Sequence, residues 1–130
     1  MTQRLTVLGA LTCLLLATMA FTGPAAEAAW TTSMRIHGGK LQLCKEPLRD
    51  GRVRVNIRLD NRGASHTHLG GMSRTRGGER VDVNHRTAAG RLSGVKSLVW
   101  QRGDQFVAGM GEVTGEGAGG DFLVSDLARC

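Results

Sequence analysis

The chain carries four histidines, His37, His66, His68 and His85, the side chains whose charge changes most readily near neutral pH. His66 and His68 flank Thr67. In an extended segment that spacing puts both imidazoles on one side of the chain. Together with His85 they form a candidate three-nitrogen set for zinc or copper, to which Met72 could add a soft sulfur. The spacing matches no established metal motif and the surrounding segment is glycine-rich, so exposed loop histidines without a metal are the competing expectation. No cofactor is implied.

Glu112 and Glu116 supply carboxylates, and the arginines supply groups that stabilise anionic oxygens. By residue type, a general acid–base set is present. A small secreted hydrolase, such as a ribonuclease using His and Glu residues, is therefore one alternative. Nothing in the spacing fixes these groups relative to one another. Tyrosine is absent and aromatic residues make up only 4% of the chain, so base-stacking platforms are poor. Neither a Gly-x-Ser-x-Gly elbow nor a His-Glu-x-x-His pair occurs. The sequence assigns no catalytic residue. A secreted protease inhibitor is a further alternative, with residues 63–71 or a turn as its loop. The tripeptide Arg102-Gly103-Asp104 has the composition of a tight turn and needs no adhesive role. The acidic residues around the glycine tract lack a calcium-loop pattern.

The third constellation is a strip. In residues 51–62, Val53, Val55, Ile57 and Leu59 alternate with Arg52, Arg54, Asn56, Arg58 and Asp60. Such a period-two pattern builds a strand with one apolar face and one polar face. Strand geometry demands polar groups on the second face but does not demand arginine. Arg52, Arg54 and Arg58 are thus the candidate contacts for an anionic partner. The formal net charge of +6 agrees with that choice. A basic exported protein adheres to wall polymers, nucleic acid or acidic polysaccharide; solubility alone is the plainer reading of the charge.

These residues must be positioned by β-structure. Short alternating runs at 40–45, 52–61, 72–76, 79–85, 95–101 and 105–113 are separated by Gly, Asp, Asn and Pro clusters. Gly77-Gly78 reads as a hairpin turn, and Asp50-Gly51 as a tight reversal. Residues 61–71 read as a loop, 95–101 as a central strand because it is apolar on both faces, 114–121 as a flexible loop, and 122–130 as the closing strand. The expected fold is all-β: a small antiparallel β-sandwich or barrel of about seven strands.

Residues 1–28 are expected to be a secretory signal peptide. Arg4 precedes an uncharged apolar run over 5–21, then comes Gly23-Pro24, then a small-x-small site at Ala26-Glu27-Ala28. Residues 29–130 then form a single secreted, extracellular domain, with no membrane attachment after cleavage and a monomeric state expected. Arg4 and Glu27 cancel, so the domain keeps the whole charge of +6. Beyond the leader remain Cys44 and Cys130, an even pair whose only partner is each other, read as a disulfide. Closing so long a loop is worth about 4.6 kcal/mol in the chain-entropy account. The chain has 19 glycines, whose unfolded-state entropy makes such a staple useful. The leading functional expectation is a non-catalytic binding module for an anionic polymer or an extracellular protein.

Overall fold

A computed structural model describes residues 29–130; the expected signal peptide lies outside the described residues. Eight strands form: β1 (Thr31–Ile36), β2 (Gly39–Pro47), β3 (Val53–Asp60), β4 (His68–Arg76), β5 (Glu79–Thr87), β6 (Lys96–Trp100), β7 (Gln105–Glu112) and β8 (Gly117–Asp121). They pair antiparallel into two four-stranded sheets, ordered β1-β2-β3-β6 and β5-β4-β7-β8. The fold is an all-β sandwich: the alternation allowed a sandwich or a barrel, and the two separate sheets decide between them. Two sheets that each bury one face must pack those faces together.

The core follows from the period-two pattern. Val55, Ile57 and Leu59 of β3 and Leu41 and Leu43 of β2 are fully buried. They meet Met72, Phe106, Ala108 and Met110 from the second sheet, with Val81 and Val83 packed at the margin. The apolar supply is thin, and the chain after β8 supplements it. A short 3-10 turn (Val124–Asp126) and the residue following it send Val124 and Leu127 into the same core.

That C-terminal segment is where the disulfide acts. Cys44 and Cys130 are bonded, with their Cα atoms 5.1 Å apart. Cys44 alternates with the core leucines, so it sits on the outer face of its sheet. It is nonetheless fully buried, with Asn56 Nδ2 3.2 Å from Cys130 Sγ beside it. The Lys45 N–H donates to the Ala128 carbonyl at 2.9 Å, and the Cys130 N–H donates to the Lys45 carbonyl at 3.0 Å. Lys45 Nζ also donates to the carbonyls of Val124 and Ser125. The staple therefore holds the segment that completes the core.

Four expectations change. Residues 114–121 are not all loop: Gly117–Asp121 is the edge strand β8, paired with β7. Glycine carries no side-chain alternation, so backbone pairing of this kind leaves no periodic trace. Residues 61–71 are loop only up to the start of β4 at His68. Residues 95–101 lie at a sheet edge, not its centre; Val95 falls outside the strand and is 54% exposed. Residues 122–130 contain the 3-10 turn and one isolated bridge, Lys45 to Arg129, in place of a closing strand. β1 had no signal of its own, because its apolar positions are few.

The strand connections gather at two ends. One end holds the β1–β2 turn, the β3–β4 and β5–β6 loops and the β7–β8 turn, and all the histidines lie in or near it. The other holds the β2–β3, β4–β5 and β6–β7 turns.

Candidate functional site

At the histidine end the β1–β2 connection is a two-residue turn, His37-Gly38. Both residues have positive φ, 39° and 84°. Hairpins favour this conformation, but at the first position it is usually taken by Asn, Asp or Gly. His37 is the one non-glycine residue with positive φ among the described residues. The turn aims its ring across the gap between the sheets. Nδ1 lies 2.8 Å from Glu112 Oε1 at the end of β7. The ring is more than half exposed, while the Glu112 side chain is 15% exposed. The hydrogen bond and charge of Glu112 raise the His37 pKa, and Glu116 adds to the rise from the far side of the ring. Reciprocally, His37 holds Glu112 below the usual carboxylate range, with His66 and His68 adding to the effect.

His68 approaches the same carboxylate from behind. It is fully buried, and its Nε2 lies 3.7 Å from Glu112 Oε1. Its Nδ1 lies 3.2 Å from the His66 carbonyl. A carbonyl can only accept, so Nδ1 carries the ring proton and Nε2 is left as a bare acceptor. That nitrogen has no hydrogen-bond partner, and neither do Asn61 Oδ1 and Thr87 Oγ1 nearby. Asn61 holds this corner together: its Nδ2 donates to the carbonyls of His66 at 2.8 Å and Thr87 at 2.9 Å. The space for it comes from Gly39. A Cβ there would stand 2.8 Å from Asn61 Oδ1 and 3.0 Å from His68 Nδ1.

Beside Glu112 opens a cleft of about 320 Å³, lined by His66, Thr67, Arg86, Glu112, Val113 and Thr114. His66 and Arg86 are exposed. Arg86 has no carboxylate partner among the described residues. Two threonine hydroxyls, one guanidinium and one imidazole thus face solvent beside a carboxylate already bonded to His37.

The structure does not bring His66, His68 and His85 together. His66 faces the cleft and His68 lies beneath it. His85 is buried between the sheets, where its Nε2 donates to the Ile57 carbonyl at 3.3 Å. Burial lowers the His85 pKa and keeps it neutral. Among the described residues, no group of three or more His, Cys, Asp or Glu side chains is arranged to hold a metal ion. Met72 is 2% exposed and belongs to the core.

Arg54 and Arg58 lie on a face of β3 and Arg52 just before it, and all three side chains have partners in the fold. Arg52 Nε donates to Asp50 at 2.6 Å, and Arg54 Nη1 to Glu46 at 3.0 Å. Arg58 donates to Gln42 at 2.8 Å and lies 4.2 Å above the Trp30 ring. Asp104 of the Arg-Gly-Asp turn has a 2% exposed side chain that accepts both Arg76 donors, at 2.8 and 2.7 Å. That carboxylate is internal to the fold.

Sequence reasoning missed His37 because β1 was not recognised. With that strand in hand, His-Gly between two alternating runs reads as a hairpin turn. It missed Arg86 because no local pattern separates one outward arginine of β5 from the others. The chain matches no protein-family model, no curated protein and no solved structure.

Proposed function

We propose that this protein is a non-catalytic binding module, acting at the cell exterior, which takes the anionic groups of a polymer in the cleft between His66 and Arg86. Phosphate, sulfate and carboxylate oxygens share the chemistry that would fit there. They accept hydrogen bonds from a guanidinium, an imidazole N–H and threonine hydroxyls. One observation carries the reading. Arg86 stands open in a polar cleft, whereas Arg52, Arg54 and Arg58 are already engaged by Asp50, Glu46, Gln42 and Trp30. The net charge of +6 supports it, and the formed disulfide agrees with an oxidising exterior. Binding is favoured over hydrolysis because Glu112, the carboxylate of the cleft, is bonded to His37 and held acidic, which makes it a poor proton acceptor.

Retention on immobilised heparin, teichoic acid and RNA tests the reading and separates the polymer classes. Bound protein should elute as salt rises, because exposed charge contacts are screened over about 8 Å at physiological ionic strength. Arg86→Ala should weaken retention on whichever matrix binds. Retention that ignores salt, or an Arg86→Ala variant held as firmly as the parent, would overturn the proposal. So would RNA cleavage that disappears in Glu112→Gln.

A further inference from the structure

Glu112 is placed oddly for a cleft that takes anions. Its carboxylate lines the cavity and would repel the ligand. Yet two imidazoles stand near one of its oxygens, His37 Nδ1 at 2.8 Å and His68 Nε2 at 3.7 Å. The two contacts are not equivalent. His37 is a partner already made. His68 presents a bare nitrogen lone pair, fully buried and without a donor, to an oxygen that also carries lone pairs. Buried polar groups are normally satisfied, and one left open costs free energy. At 3.7 Å His68 stands beyond hydrogen-bond reach of that oxygen, so His37 is the imidazole that answers its charge.

Resting on the anion-cleft reading above, we propose that His37 and Glu112 form a proton-operated gate on that cleft. With His37 protonated, the carboxylate is paired with a cation and its charge opposes an incoming anion less. With His37 neutral, Glu112 presents its full negative charge to the cleft and the anion is released.

The surroundings let protons, and little else, decide the state. From the β1–β2 turn comes His37; from the β3–β4 loop, His66; from β4, His68; from β5, Arg86; from the β7–β8 turn, Glu116, 4.0 Å from His37 Nε2. On the neighbouring β3, Asp60 is neutralised locally by Arg62 at 2.9 Å, and Lys40 also acts on it. Glu116 favours the protonated form of His37, while Arg86 is a fixed charge with no proton to exchange in this range. The placement of His37 at a positive φ also fits a purpose other than the turn itself, since strained backbone positions persist where the surrounding structure makes use of them.

Heparin-fragment affinity, measured on the full chain from about pH 8 to about pH 5.5, tests the gate across the range where imidazoles gain protons. The parent should bind about tenfold more tightly at the acidic end, the change expected when binding takes up one extra proton across about one unit of that range. The deciding variant is Glu112→Gln. It should bind at about pH 8 nearly as tightly as the parent does at about pH 5.5, with a much shallower slope. His37→Asn, which suits the turn, should flatten the parent's slope from the other direction. Nitrogen NMR of the unaltered protein should show the His37 ring gaining its proton in step with tighter binding. A Glu112→Gln variant with the parent's slope and no gain at the basic end would overturn the gate and leave the cleft standing. Absence of heparin binding at every pH, in parent and variant alike, would overturn both.

Discussion

The two ends of the sandwich are built from the same residue types and treat them in opposite ways. At the end without histidines, the buried carboxylate is fully paired. Asp104 accepts both donors of Arg76 and the N–H of Gln101, and its carbonyl accepts the Trp100 indole. At the histidine end, Asn61 Oδ1, Thr87 Oγ1 and His68 Nε2 are buried without partners, His37 sits at a strained φ, and Arg86 stands open. The contrast separates polar groups that hold the fold from polar groups that are held ready. It is a matter of degree, since Arg74 Nε is buried and unpaired as well.

The sharpest way to break this contrast is to remove one charge from each end. Asp104→Ala leaves the Arg76 guanidinium without its carboxylate and the Gln101 N–H without its acceptor. Asp104 is buried but Arg76 reaches solvent, so the loss is that of hydrogen bonds to a charged group, about 1–3 kcal/mol, and chemical denaturation should show a loss of that order. At the histidine end, His37→Asn should change the denaturation midpoint little. Asn tolerates the positive φ better than His, which offsets the lost contact with Glu112. Equal losses at the two ends would mean that the histidine end is structural after all.

A subtler effect is the dependence of stability on pH. The His37 pKa is raised in the folded state, so its contribution is fully present below its unfolded value of about 6.5 and is lost as pH rises through the raised value. The Glu112 pKa is lowered, so its contribution is present above its unfolded value of about 4.5 and is lost as pH falls through the lowered value. The pair stabilises most between those two unfolded values. His85 acts in the opposite sense: its pKa is depressed, so its neutral, buried state loses stability as pH falls below about 6.5. Subtracting the pH profile of His37→Asn from that of the parent removes the His85 contribution. The difference should peak at about pH 5.5. A flat difference would show that the dyad contributes nothing to folding.

Most of the architecture was legible in the sequence because it is written in side-chain alternation. β3 announces itself through Val55, Ile57 and Leu59, and β5 through Val81 and Val83 against outward Arg80, Asp82 and Asn84. The cysteine pair was legible because setting aside residues 1–28 as an expected leader left Cys44 and Cys130 with one pairing. Illegible were the parts that glycine and topology decide. β8 pairs through a backbone that carries almost no side chains. The edge position of β6 depends on strand order, which no local pattern records. The site was the least legible. Its components, His37, Asn61, His68, Arg86 and Glu112, come from five separate segments. Their convergence follows from the register of β4 against β5 and β7, in which His68 faces both Thr87 and Glu112. Residue type pointed to histidine and glutamate, but the grouping of His66, His68 and His85 placed three rings together that strand direction sends to solvent, to the loop underside and to the core.

The smallest expected effect concerns the strip that the sequence made most conspicuous. Replacing Arg52, Arg54 and Arg58 by Gln removes three positive charges from one strand face, and a simple count of charge would predict a large loss of polyanion binding. The pairing within the sheet argues otherwise. Arg52 and Arg54 are each offset by a carboxylate on the same surface, so their removal exposes Asp50 and Glu46 but takes away little free positive potential. Each exposed ion pair contributes only about 0.2–1 kcal/mol to stability. Arg58 is the exception within the strip, because its guanidinium covers Trp30 and loses that contact. Heparin retention of the triple variant should therefore fall by less than that of Arg86→Ala alone, although it lacks three charges and the single variant lacks one. The reverse order would place the binding surface on β3, and would mean that an arginine already bonded to its neighbour still reaches a polymer that the open arginine of the cleft does not.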